Sequence, residues 1–260
     1  MIRKYWAKFF PKKSKPWSDA HHFYPIEYSE PQDIFVVGYP KSGNTWTQHQ
    51  LASLIFQIDA AIIPDRLVQE LIPKIDYKIF YKRILDRTCF STHAFPQPKF
   101  RKVIYLVRDG RDAMVSYYHM NKNLDIDISL EEMVVEGKEL YVGKWHKHIE
   151  QWLDNPYDAE ILYVKYEDML YQPVQELRRM CNFLDLDRTE TVLQSIADGS
   201  SFSAMRQKED QQGWDNKVWK VDRKFVRKGK TGDYLEEMSK DLQQYFVEEA
   251  EQALIHFNYL

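Results

Sequence analysis

One loop carries the clearest chemistry in this sequence: Gly38-Tyr39-Pro40-Lys41-Ser42-Gly43-Asn44-Thr45. Its glycine spacing is that of the phosphate-binding loop G-x-x-x-x-G-K-[ST]. Glycines let the backbone fold so that several N–H groups converge on one anion. A helix opening just after the loop adds the positive end of its dipole. One position departs from the pattern. Asn44 stands where a nucleoside triphosphatase has lysine, and the lysine lies earlier, at Lys41. Without that lysine, binding of a magnesium triphosphate loses a main contact. Lys41 suits a shorter anion, such as a 5′-phosphate carrying one further group.

The candidate proton acceptor is His93, in Ser91-Thr92-His93-Ala94-Phe95-Pro96. It follows a short β-like run, Cys89 to Thr92, and parallel α/β sheets place their chemistry beyond the carboxyl ends of their strands. Imidazole titrates near neutrality and can take a hydroxyl proton. Cys89 lies close in sequence and raises a Cys–His hydrolase, but no nucleophile elbow or orienting partner accompanies the pair. The histidines His21-His22 and His146/His148 raise a metal site. No Cys, His or carboxylate set has zinc spacing, so no metal is expected.

The elements that must position these groups are legible as runs. Ile34 to Val37 is a short apolar strand ending at Gly38, with a helical pattern through Leu51, Leu54 and Ile55 after the loop. Further strands are expected at Cys89–Thr92, Val103–Val107 and Ile161–Val164, and continuous β-branched runs belong to strands covered on both faces. Ser129 with Glu132 has the form of a capping box. Leu242, Tyr245, Phe246, Ala250, Ala253, Leu254 and Phe257 recur at helical spacing. Strands alternating with helices predict an α/β fold: a single-domain three-layer sandwich with a central parallel sheet and a P-loop-like strand–loop–helix. The expected organisation is an N-terminal arm over 1–30, loosely docked or flexible, and one domain over 31–260. The polar, basic stretch from Gly199 to Gly232 is expected to be a long ordered loop or lid.

Composition narrows the function classes. The chain has 260 residues with a net charge of −3, 44% hydrophobic and 29% charged residues, which is a globular balance and gives a nucleic-acid polymer no basic surface. Two cysteines, Cys89 and Cys181, cannot form a disulfide scaffold and suit a reducing compartment. No apolar run approaches the ~20 residues of a membrane span. The basic, aromatic segment Met1 to Trp17 lacks the apolar stretch of a secretory signal. A cytoplasmic location is expected.

Tyr39-Pro40-Lys41-Ser42-Gly43-Asn44-Thr45-Trp46 resembles the 5′-phosphosulfate loop of cytosolic-type sulfotransferases, YPKSGTTW. Arg227-Lys228-Gly229-Lys230-Thr231-Gly232-Asp233-Tyr234 resembles that family's RKGxxGDW segment. Between them, Val107-Arg108-Asp109 with Ser116-Tyr117-Tyr118-His119, and Tyr166-Glu167-Asp168-Met169, stand in family order. The resemblance implies transfer of a sulfonate from 3′-phosphoadenosine 5′-phosphosulfate (PAPS) to a hydroxyl or amine, without metal, releasing 3′-phosphoadenosine 5′-phosphate (PAP). It implies that Lys41 stabilises the leaving phosphate and that Ser42, Gly43, Asn44 and Thr45 help hold the 5′ end. It assigns the 3′-phosphate to Arg108, Ser116, Arg227, Lys228 and Gly229, and the adenosine to Trp46, Tyr166, Ser200 and Phe202. His93 aligns with the family's catalytic histidine. Trp145 and His148 match acceptor-side positions, with His119 near the same cleft.

Three positions depart from the family pattern. Ser91 stands where the family often carries a lysine beside the transferring sulfonate, Asn44 replaces a loop threonine, and Tyr234 replaces a tryptophan. The acceptor is expected to be a small molecule, an apolar or aromatic alcohol, phenol or amine. Two other readings remain at this point: a catalytically silent PAP-binding protein, and a P-loop kinase or NTPase.

Overall fold

A computed structural model describes residues 22–213, 226 and 228–260. Its framework is two small sheets. Strand β1 (Phe23–Pro25) pairs antiparallel with β3 (Phe80–Lys82). The main sheet is formed by β2 (Ile34–Gly38), β4 (Cys89–Thr92), β5 (Lys102–Val107) and β6 (Glu160–Lys165), in the order β4-β2-β5-β6 with every pairing parallel. All four sequence-predicted strands are present. The apolar runs of β2 and β5 are continuous because both faces are covered: β2 is buried at every residue and β5 at all but its first, whereas the edge strand β6 buries only Val164.

Alternation along the strands sorts the core into two layers. Phe35, Val37, Phe90, Val103, Tyr105 and Val107 face one side. Ile34, Val36, Cys89, Ile104, Leu106 and Val164 face the other. The second side is covered by α1 (Asn44–Phe56) and α2 (Asp65–Leu71), and by α6 (Pro173–Phe183) and α7 (Glu190–Gly199) from later in the chain. The first side is covered by α3 (Gly110–Asn123), α4 (Trp145–Asp154) and α10 (Lys240–His256). The short helices α5 (Tyr166–Tyr171), α8 (Phe202–Gln212) and α9 (Tyr234–Glu237) complete the chain order. This is the expected three-layer α/β sandwich.

Local signals explain several boundaries. Ser129 and Glu132 close the capping box reciprocally: the Glu132 N–H donates to Ser129 Oγ at 3.1 Å and the Ser129 N–H to Glu132 Oε2 at 3.0 Å. The turn that follows, Glu132–Glu136, is π-helical. In α10 the predicted apolar face is the buried one, with Leu242, Phe246, Ala250, Ala253 and Leu254 all inside. One expectation changes. The stretch after Gly199 is not loop throughout: α8 occupies Phe202–Gln212, started by Ser201, whose side chain accepts from the Ala204 N–H. Its Ala, Met, Arg, Gln, Lys and Glu residues are good helix formers that lack an amphipathic period. Positions 214–225 and Arg227, with residues 1–21 of the expected arm, lie outside the described residues. Within that arm, Phe23–Pro25 are paired in β1.

Candidate active site

The carboxyl ends of the four parallel strands deliver the candidate residues to one crevice. The Lys41 loop follows β2, His93 follows β4, Arg108 follows β5 and Tyr166 follows β6, the last three each as the next residue in the chain. Sheet topology therefore gathers residues that are far apart in sequence.

The loop after β2 is built to receive an anion. Lys41 and Gly43 have positive φ values of 72° and 96°, a backbone that turns successive N–H groups toward one point. Gly43 is the N-cap of α1 and supplies no side-chain cap, so the first N–H groups of a 13-residue helix lack a side-chain acceptor. Among the described residues, Ser42 Oγ and Asn44 Oδ1 are buried without a hydrogen-bond partner, as is Arg108 Nε. Buried polar atoms in this state are costly unless a ligand completes them. Gly43 is also needed for space, because a Cβ there would lie 2.9 Å from the Tyr166 ring.

Arg108 joins the Lys41 loop to the segment at Lys230. Its guanidinium donates to the Lys41 carbonyl and the Lys230 carbonyl, each at 3.2 Å, and stacks over the Tyr166 ring at 4.3 Å. Trp46 meets Tyr166 edge-on at 5.6 Å and donates its indole N–H to the Ser200 carbonyl at 2.6 Å. The Ser200 hydroxyl is buried; it donates to the Ile196 carbonyl at 2.6 Å and accepts from Gln50 at 3.2 Å. Phe202 packs against Gly229, whose φ is 60° and where any Cβ would enter the Phe202 ring. The structure thus brings together Lys41, Ser42, Gly43, Asn44, Trp46, Arg108, Tyr166, Ser200, Phe202 and Gly229. Thr45 opens α1 and Ser116 lies further along α3, half-buried.

Lys228 is held from behind, donating to Asp233 at 3.3 Å and Glu237 at 3.2 Å. His119 reaches the other oxygen of Glu237 at 2.5 Å, which puts it beside Lys228. Sequence reasoning missed the acids that shape this segment. Asp112 accepts the N–H groups of Gly232 at 2.7 Å and Tyr234 at 3.1 Å, and the buried Asp233 also pairs with Lys230 at 3.1 Å. The Arg111 guanidinium lies 4.2 Å over Tyr234, so a tyrosine fills the site of the expected tryptophan with its ring stacked.

His93 is nearly buried, and its Nδ1 lies 2.6 Å from the Gly38 carbonyl. A carbonyl only accepts, so Nδ1 carries the proton and Nε2 keeps its lone pair, the tautomer a base requires. Burial drives the His93 pKa well below the usual imidazole value, and Lys74, then His148 and Lys41, push the same way against the Gly38 hydrogen bond. The ring is therefore neutral at physiological pH. Asp76 fixes its backbone, accepting from the His93 N–H at 3.3 Å and the Thr92 hydroxyl at 3.2 Å.

His148 stands behind His93. Its Nε2–H donates to the His93 carbonyl at 3.1 Å and its Nδ1 accepts from the Tyr105 hydroxyl at 2.8 Å, so both ring nitrogens are engaged. Burial lowers its pKa to about 4. Trp145 is buried against Phe246 and over Gly110, where a Cβ would come within 2.5 Å of the indole. Among the described residues no group of three or more His, Cys, Asp and Glu side chains is placed to hold a metal, and no helix is long and apolar enough to cross a membrane.

Residues 31–257 match the family model described as "Sulfotransferase domain". The chain is 26% identical to mouse sulfotransferase 1 family member D1, over 93% of this chain and 92% of that protein. It is 29% identical to human sulfotransferase 1C2, over 84% and 80% of the two. Mouse sulfotransferase SULT7A1, solved complexed with PAP, superposes with a TM-score of 0.64 at 25% identity, covering 90% of this chain and 91% of that one. Retinol dehydratase, solved with androsterone and PAP, shares the fold with a TM-score of 0.68 at 19% identity, over 87% of this chain and 82% of that one.

Proposed function

The chain belongs to the sulfotransferase family, and from that premise we propose that it moves a sulfonate from PAPS to a hydroxyl or amine of a small acceptor, using His93 as general base and Lys41 beside the leaving phosphate. PAPS is here a donor substrate. The observation that carries the reading is the neutral, Nδ1-protonated His93 held against Gly38, the residue from which the anion loop departs. One backbone carbonyl thus ties the proton acceptor to the loop that receives the donor.

The buried Ser42 Oγ and Asn44 Oδ1, unpartnered among the described residues, and the start of α1, which Gly43 leaves without a side-chain cap, fit a 5′-phosphosulfate. Lys41, with a preorganised positive charge, stabilises the phosphate oxygen on which charge builds. Arg108 and Lys228, with Arg227, Ser116 and Gly229, receive the 3′-phosphate, for which the guanidinium fork is suited. Trp46, Tyr166, Phe202 and the Ser200 backbone hold the adenosine. His93 Nε2 accepts the proton of the incoming hydroxyl as the new O–S bond forms. His148 and Asp76 keep the imidazole in place from behind and below.

The proposed acceptor is apolar or aromatic. Phe95 lies 5.2 Å from His148, and Tyr77 and Tyr141 are exposed near Asp76, with the Tyr141 hydroxyl 3.4 Å from that carboxylate. No metal is part of this chemistry. The proposed location is cytoplasmic, in keeping with two buried free thiols, Cys89 and Cys181.

Calorimetric titration with PAP, ADP and ATP, each with and without magnesium, tests the donor half. PAP should bind at least about tenfold more tightly than ADP, a difference of ~1.4 kcal/mol, independent of magnesium. Preference for ATP with magnesium would overturn the proposal in favour of a kinase or NTPase. PAP binding without labelled product from [35S]PAPS across phenols, alcohols and amines would leave a non-catalytic PAP-binding protein.

A further inference from the structure

A second cation lies beside His93 and belongs to no motif of the sequence. Lys74 sits in the segment after α2 and forms an isolated parallel bridge with Ser91. The bridge is closed by the Ser91 N–H donating to the Pro73 carbonyl and the Ile75 N–H donating to the Ser91 carbonyl, each at 3.0 Å. Bridged residues present their side chains to one face of a sheet, and that face recurs every second residue. Lys74 is thus registered on Ser91, two residues before the base. Apart from burial, its charge is the strongest influence depressing the His93 pKa.

The Lys74 ammonium is poorly compensated. It lies 4.8 Å over the Tyr77 ring and forms neither hydrogen bond nor ion pair among the described residues. Burial lowers its own pKa, opposed by the charges of Asp76 and then Asp65. A desolvated ammonium without a counter-ion is unfavourable, so an anion at this point stabilises the site. Ser91 itself offers only a hydroxyl, and its Oγ is buried without a partner.

We propose that Lys74 contacts the sulfonate during transfer, as a second catalytic cation delivered to the end of β4 from the neighbouring segment. This rests on the sulfotransferase reading above. The acceptor-oxygen-to-sulfur bond forms as the sulfur-to-oxygen bond of the phosphosulfate breaks. The proton passes to His93 Nε2, and the electron pair stays on the phosphate oxygen beside Lys41. Lys74 neither gives nor takes a proton. It balances negative charge on the sulfonyl oxygens, which belong to neither the Lys41 end nor the His93 end of the reacting axis. An acidic group on the acceptor is the other anion this ammonium could meet. The sulfonate is favoured because Lys74 acts on His93 itself, and its backbone is fixed to the end of β4 by the bridge to Ser91.

The test compares PAPS with PAP, which differ by the sulfonate alone, in calorimetric titrations without acceptor. Lys74→Met should weaken PAPS binding by about fivefold or more while PAP stays within about twofold, and Lys74→Arg should restore most of the loss. PAP affinity serves as the control for folding. An unchanged ratio of PAPS to PAP affinity in Lys74→Met, with PAP binding intact, would overturn the role of Lys74 alone. A wild-type chain with no preference for PAP over ADP would overturn the donor reading and this role with it.

Discussion

The proposed donor side and the proposed transfer side of the site are built on opposite terms. Around the loop after β2, side-chain atoms are left incomplete: among the described residues, Ser42 Oγ, Asn44 Oδ1 and Arg108 Nε are buried without partners. Around His93 the imidazole and its backbone are engaged, while among the described residues the nearby Ser91 Oγ and Lys74 ammonium have no hydrogen-bond partner. Gly38 holds Nδ1, Asp76 holds the backbone N–H, His148 holds the carbonyl and Tyr105 holds His148. The first region gains its order from a ligand and the second has it in advance. That division suits a reaction in which the donor brings its own charges while the base must already have the right tautomer and direction.

The sharpest way to break the comparison is to remove the base and leave the anion site whole. His93→Ala should lower turnover by about 10²–10⁴-fold, the usual range for general-base catalysis, with PAP affinity unchanged. Single-turnover transfer from [35S]PAPS, paired with PAP calorimetry, reads both. A variant that lost PAP binding in parallel would show the two regions to be one. The converse variant is Arg108→Met. It removes the links to the Lys41 and Lys230 carbonyls and the stack on Tyr166. Loss of a charge-assisted pair and of that bridge should cost about 2–3 kcal/mol of PAP binding, some 30–150-fold, and collapse the preference over ADP.

Smaller changes sharpen the same contrast. Asp76→Asn keeps the size of the side chain that accepts from the His93 N–H and Thr92. It should lower kcat by about tenfold, through a loosened base, without altering PAP affinity. Gly229→Ala acts on the other side. A Cβ at φ 60° would enter the Phe202 ring, so the adenosine flank and the phosphate segment must separate. PAP affinity should fall by about tenfold while single-turnover transfer at saturating PAPS is kept.

These two sides also differ in how far the sequence discloses them. The donor loop is consecutive, Gly38 to Trp46, and its glycines follow directly from the backbone the anion requires. The strands were legible for a similar reason, since continuous apolar runs mark burial on both faces. His93 was legible as the residue beyond a strand. Its surroundings were not: Asp76 and Lys74 come from a connecting segment, and His148, expected on the acceptor side, holds the His93 carbonyl from a distant helix, through pairings that no local pattern encodes. Asp112 was missed likewise, because its work is to accept two N–H groups from the segment at Gly232 and Tyr234. Helix α8 escaped because its exposed face and short length leave no period to read.

The last contrast is in response to pH. The proposed donor side rests on the Arg108 guanidinium and the backbone of the Lys41 loop. The transfer side rests on His148, a buried imidazole whose pKa lies at about 4 in the fold against 6.5 in the open chain. Its folded pKa is depressed, so its contribution is full above the unfolded value and is lost as pH falls from 6.5 toward 4. In that window the unfolded chain binds the proton and the native ring does not. The cost is about 1.4 kcal/mol per pH unit, about 3 kcal/mol over the window. His93 and His49 are depressed by burial as well and add to the same acid limb. His148→Gln replaces the ring with an amide that can still donate to the His93 carbonyl and accept from Tyr105. Denaturant titrations between pH 6.5 and 4 should then show a slope shallower by about one proton's worth of linkage. An unchanged slope would mean that His148 takes up its proton without leaving its place behind the base.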